Sequence, residues 1–126
     1  MIRKLPFLAA IALFATPALA DGDATAGKTV FKRCAACHTV EDQNRVGPSL
    51  IGIVGRAIAS REGFRYSNAM KAFAADRELW TEELLAEYVA APRLVVPGTS
   101  MAFAGLETAQ DIADLIAYLK DPAAAE

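Results

Sequence analysis

The chain has one histidine, one tryptophan and two cysteines in 126 residues, and these scarcities exclude several chemistries. A structural zinc site needs four protein ligands, usually from two separated pairs, and no second Cys or His cluster exists to supply the far pair. A thioredoxin-like dithiol expects its Cys-x-x-Cys after a strand, at the start of a helix, in an alternating strand and helix pattern. No convincing strand precedes Cys34, and strand-like segments are scarce throughout. Positive charge is also short, with 13 Lys and Arg against 15 Asp and Glu. A chain of that sign is not built to hold nucleic acid. Beyond the first twenty residues, no stretch is long and apolar enough to cross a bilayer.

The opening "MIRKLPFLAAIALFATPALA" reads as a secretory signal peptide over residues 1–20. Arg3 and Lys4 form a positive start, Leu5 to Ala15 is nearly all apolar, and Ala18-Leu19-Ala20 is a small-x-small cleavage site. The apolar run is shorter than the roughly 20 residues that span a membrane, so no stable membrane insertion is expected. Residues 21–126 then form one domain. Removing 20 of the 126 residues leaves 106, and losing Arg3 and Lys4 takes the formal charge from −2 to −4. The expected compartment is a bacterial periplasm. A domain this small is marginally stable without a disulfide, a metal or a large cofactor.

All of the chain's cysteine and histidine falls within "CAACH", Cys34 to His38. A disulfide between Cys34 and Cys37 would close a loop too tight to constrain much unfolded chain. The spacing Cys-x-x-Cys-His is instead the signature of c-type haem attachment. Two thiols on one turn of chain reach two vinyl groups on one edge of a porphyrin, and the following histidine directs a ring nitrogen at the iron. With His38 used, the sixth iron position falls to methionine, lysine or an open site. Met/His ligation suits electron transfer, and an open site suits ligand binding or peroxide chemistry. Met70 stands three before Phe73 on an expected helix, the spacing of ordinary core packing. Met101 lies in "VVPGTSMAFAG", where Pro97 and Gly98 place it on a loop.

The remaining pattern is helical. A first helix is expected from Asp23 to Arg33, a short one over Ser67 to Ala75, and a third capped by Thr81 and stopped by Pro92. Thr108 and Asp111 resemble a capping box opening a last helix, with Ile112, Leu115, Ile116 and Leu119 as its apolar stripe. The stretch before Ser67 reads mainly as loop, and the tail "DPAAAE" as frayed. This is an all-α domain with long loops that need something to wrap around.

In this order and spacing, "CAACHTV", "GPSL", "GIVGR", "GFRYS", "VPGTSMAFAG" and "DLIAYLK" resemble the class I cytochromes c, over essentially all of Gly27 to Lys120. The soluble periplasmic bacterial and mitochondrial-like branches look nearest. The resemblance implies a small helical fold around one covalent haem c. His38 and Met101 would be the axial ligands, and Cys34 and Cys37 the thioether sites. Pro48 would place its carbonyl on the second nitrogen of His38, as metal-bound histidines require. Arg56, Tyr66, Ser67 and Trp80 match positions that bind or screen the haem propionates. Tyr88 matches a tyrosine near the methionine sulfur, and Gly27, Phe31, Leu115 and Tyr118 match the crossing of first and last helices.

The function implied is a one-electron carrier, not an enzyme, passing electrons among respiratory, photosynthetic or dehydrogenase partners. It would act as a monomer that docks briefly at the exposed haem edge. The sequence departs from the family in places. Ser100 replaces a lysine usual in the mitochondrial proteins, and Leu94 and Val95 replace polar or aromatic residues. The cationic ring at the haem edge thins to Lys32, Arg33, Arg45 and Arg93. Met70 stands where mitochondrial members carry a polar residue linked to buried water.

Overall fold

The computed structural model describes residues 11–12 and 21–126. The signal-peptide reading falls on residues 1–20, most of which lie outside the described residues.

Helix α1, Ala24–Phe31, starts because the Asp23 carboxylate accepts the Ala26 N–H at 2.8 Å, satisfying a donor that the helix leaves unpaired. It ends two residues earlier than the expected Arg33, but the chain does not straighten. Cys34 and Ala35 N–H bond back to the Phe31 carbonyl, and Cys37 and His38 N–H to that of Cys34. Tight turns therefore carry the helix end rigidly into the Cys-x-x-Cys-His segment.

Three further helices start on the same kind of cap. Ser67 caps α2, Asn68–Asp76; Thr81 caps α3, Glu82–Ala90; Thr108 caps α5, Ala109–Lys120. In each the hydroxyl accepts an N–H three residues on, at 3.1 Å. Pro92 does more than stop α3. Its fixed φ opens a one-turn helix, α4, Pro92–Val95, since proline is suited to the first helical position. The tail is not frayed as expected. Residues Pro122–Ala125 form a 3-10 turn that returns to pack on α1, with Ala125 against the core.

The core is organised by the crossing of α1 and α5. Gly27 makes it possible: a Cβ there would collide with the Asp114 carbonyl and come within 2.7 Å of Tyr118 Cβ. Phe31 and Tyr118 rings then meet at 5.4 Å between centroids. Asp114, buried in α5, accepts the Asp23 N–H and the Gln110 amide, both at 2.8 Å. No strand forms among the described residues. A single antiparallel bridge joins Ala57 to Leu79, and the flanking bonds Trp80 N–H to Arg56 carbonyl (2.9 Å) and Gly55 N–H to Trp80 carbonyl (2.7 Å) bring Arg56 and Trp80 side by side.

Candidate cofactor site

Between these helices and the loops lies a cavity of about 460 Å³ with mostly apolar walls. Every residue the sequence nominated lines it: Cys34, Cys37, His38, Pro48, Arg56, Tyr66, Ser67, Trp80, Tyr88 and Met101. A second hollow of about 400 Å³ between α2 and α4 contains none of them. Met70 packs against the core as expected, but it also faces the cavity.

His38 is held from two sides. Its Nδ1 lies 2.7 Å from the Pro48 carbonyl oxygen. A carbonyl only accepts, so Nδ1 carries the proton and Nε2 keeps its lone pair. Gly47 lies flat against the ring, where an added Cβ would come within 2.9 Å of three ring atoms. Burial pulls the imidazole pKa below its ordinary value. The Pro48 bond opposes this, and the nearby Arg56 charge adds to it. The neutral imidazole is thus favoured, which is the form that binds a metal.

The two sulfurs of Cys34 and Cys37 are not bridged to each other. Burial pushes the Cys34 thiol up, with Arg33 acting weakly the other way. Across the cavity, the Tyr88 hydroxyl points at the Met101 sulfur at 3.8 Å. Thr99 steadies this corner: its hydroxyl accepts the Met101 N–H at 3.2 Å and lies 3.5 Å from Tyr88 Oη. Burial raises the Tyr88 pKa, and the Thr99 contact opposes that rise.

Arg56 decides whether an anionic cofactor fits. One terminal nitrogen donates to the Ser49 and Ile51 carbonyls at 2.9 Å, while Nε is buried with no partner. Burial depresses its pKa, countered by the Tyr66 phenol and reinforced by the Arg61 charge. A guanidinium nevertheless stays charged, and no Asp or Glu is among the cavity-lining residues. An unsatisfied buried donor costs about 1–3 kcal/mol, so the site is built for a group that brings its own carboxylate. Ser67 adds a donor: its oxygen already accepts the Met70 N–H, and its proton remains to give.

Two thiols, a metal-ready imidazole, an oriented thioether and a cation awaiting an anion form one cavity. The cytochrome c family profile matches residues 24–122. The chain belongs to the cytochrome c family. It is 44% identical over 122 residues to the cytochrome c2 of Blastochloris viridis, covering 94% of this chain and 93% of that protein. It is 50% identical over 104 residues to the cytochrome c-type cyt cy of Rhodobacter capsulatus, covering 82% of this chain but only about half (51%) of that relative. Among solved structures, cytochrome cH from Methylobacterium extorquens matches with a TM-score of 0.73 at 40% identity, over 79% of this chain and 98% of that one. The fold is that of the class I cytochromes c. As a cytochrome c the protein carries covalently attached haem c and transfers electrons; it is not an enzyme.

Within this cytochrome c, Gly47 and Thr99 are cavity residues with a role that the sequence did not single out. Gly47 stood inside the quoted "GPSL", and only its contact with the imidazole gives it a role. Thr99 stood two residues before Met101, where a hydroxyl commonly caps a turn, which was the available signal. In the cavity lining, the Arg33 guanidinium sits 5.6 Å from the Phe103 ring centroid; Arg45, next in the chain to the lining residue Val46, donates to the Ala35 carbonyl at 3.0 Å.

Proposed function

We propose that this cytochrome c is a soluble periplasmic one-electron carrier with His38 and Met101 as axial ligands. Cys34 and Cys37 hold the haem through thioethers, and residues 1–20 are the signal that takes residues 21–126 across the membrane. The observation that carries the reading is the commitment of His38 Nδ1 to the Pro48 carbonyl at 2.7 Å in a cavity that also holds Met101. It leaves Nε2 as the one ring nitrogen free to ligate, as metal-bound histidines require.

When bound, the haem supplies a couple that exchanges a single electron. The chain's own residues set the conditions. Met101 is a better ligand candidate than Met70, because Tyr88 and Thr99 orient its sulfur from the polar side. Ser67, Tyr66, Trp80 and Arg56 hold the acidic edge of the cofactor, and the apolar walls exclude water. Neutral ligands in a dry site favour the reduced state. Arg33, Arg45 and the exposed Val46, at 79% accessible, frame the edge where a redox partner docks briefly.

The test is ligand identity. In the purified holoprotein, the oxidised form shows the methionine-to-iron charge-transfer absorption at neutral pH, and the reduced form does not bind carbon monoxide. Met101→Ala loses the band and gains carbon monoxide binding. A wild-type protein that binds the gas readily, or Met101→Ala with the band intact, rejects the assignment. A covalent haem stain on a denaturing gel checks Cys34 and Cys37 separately.

A further inference from the structure

Asn44 lies outside the cavity wall, yet three of its bonds converge on the loops that form it. Its side-chain oxygen accepts the Ser49 N–H at 3.0 Å and the Arg61 Nε–H at 3.1 Å, and its amide nitrogen donates to the Glu62 carbonyl at 2.9 Å. Only this orientation of the amide satisfies all three partners.

The Ser49 bond matters because of covalent geometry. The Ser49 N–H and the Pro48 C=O belong to one peptide group, which is planar and, like every described peptide bond here, not cis. In a trans peptide the C=O and N–H bonds point in opposite directions, so their dipoles add. Asn44 therefore grips one end of the plane whose other end accepts the His38 Nδ1–H at 2.7 Å. Bonds in series through one peptide polarise one another. The neighbouring plane is fixed as well, since Arg56 donates to the Ser49 carbonyl at 2.9 Å. On its far side, Asn44 reaches the loop of Arg61 and Glu62. There the Arg61 N–H donates to the Tyr66 hydroxyl at 3.0 Å, and the Arg61 guanidinium pairs with Asp42.

We propose that Asn44 is a positioning residue for the haem site. It sets the angle and strength of the Pro48 hydrogen bond to His38 and ties that bond to the loop holding Tyr66. The inference rests on His38 being the proximal ligand. A firmer carbonyl contact makes an imidazole a stronger donor to its metal. Loosening the Pro48 plane therefore weakens His38 as a donor and raises the reduction potential.

The experiment measures hydrogen exchange at His38 Nδ1 by NMR, and the reduction potential, in holoprotein carrying Asn44→Ala, Asn44→Asp or Thr108→Ala. Thr108→Ala removes the α5 cap and serves as a control destabilised at a distance. In Asn44→Ala, exchange is about fivefold faster, the factor expected from losing one net hydrogen bond, and the potential rises. Asn44→Asp keeps the acceptor for Ser49 and retains wild-type protection at His38. Thr108→Ala leaves both readouts unchanged. Wild-type exchange in Asn44→Ala overturns the proposal. So does equal acceleration in Thr108→Ala, which would mean that global opening is being read, or loss of protection in Asn44→Asp. If Asn44→Ala does not load haem, Asn44→Asp decides alone by the same criterion. In the oxidised wild type, a His38 ring proton without paramagnetic displacement refutes ligation by His38. The exchange rates still report separately on Asn44.

Discussion

Gly47 stands in the cavity wall with no room for a side chain. Its hydrogen faces the His38 ring, and a methyl in its place would come within 2.9 Å of three ring atoms. Either the imidazole tilts or the loop carrying Pro48 retreats, and both strain the bond to Nδ1. Gly47→Ala is expected to cost about 1–3 kcal/mol, the usual range for overpacking, measured by denaturant unfolding of the holoprotein. The same variant should displace the His38 ring resonances. Tyr88 makes a prediction about pH. Burial raises its pKa, so above about pH 10 the unfolded chain loses this proton before the folded one does. The group's stabilising effect is then complete below pH 10 and declines as pH rises through the folded value. Tyr88→Phe should flatten part of the alkaline decline in stability, measured by denaturant midpoints across that range. An unchanged slope would show that the phenol titrates as in water.

At the scale of elements, caps and crossing contribute unequally. Thr108→Ala removes one hydrogen bond from the start of α5 and should cost about 1 kcal/mol. Gly27→Ala drives a methyl into the Asp114 carbonyl and Tyr118. It should cost more, up to about 3 kcal/mol, because neither helix can withdraw without opening the contact of Phe31 with Tyr118. Thermal unfolding of both holoproteins orders them. The Lys120 to Glu82 ion pair between α5 and α3, at 3.0 Å, is exposed and adds little. The caps at Thr81 and Thr108 were legible from the sequence because a hydroxyl before an apolar period acts locally, whereas Ser67 was read as the first residue of its helix rather than as the cap it is. The one-turn α4 and the 3-10 tail were not legible. Pro92 reads equally as a stop or a start, and the tail is ordered by contact with α1, which no local pattern encodes.

The whole molecule is built around its cofactor. Emptying a cavity of about 460 Å³ costs at most about 11 kcal/mol at roughly 24 cal/mol per Å³, comparable to the entire stability of a domain, about 5–15 kcal/mol. The double variant Cys34→Ala, Cys37→Ala, produced without haem, should lose its cooperative thermal transition and much of its helical circular dichroism. A cooperative, helical apoprotein would show instead that the loops support themselves. On the proposed docking at the haem edge, charge there steers the encounter with partners. Arg33 and Arg45 are held in place by Phe103 and the Ala35 carbonyl, and a carboxylate is absent from the cavity lining. Arg33→Glu with Arg45→Glu should slow electron exchange with the native redox partner at low ionic strength, by tenfold or more if steering operates. The difference should shrink as salt screens it. Equal rates at low salt would assign docking to apolar contact around Val46.

The order of residues alone sets the chemistry. Cys34, Cys37 and His38 lie within one turn of chain, so their joint geometry is set by local backbone, and the helix caps and apolar stripes act over three or four residues. It also nominated Pro48, Arg56, Tyr66, Ser67, Trp80, Tyr88 and Met101, through resemblance to a family whose spacing it keeps. Folding in three dimensions is what brings these residues to one cavity. It also gave Gly47 its place against the imidazole, left Arg56 Nε without a partner, and put Asn44 at the back of the peptide that holds His38. Those relations join residues distant in the chain or depend on which face of a loop turns inward, and a side chain's partners across space leave no periodic trace in the order of residues.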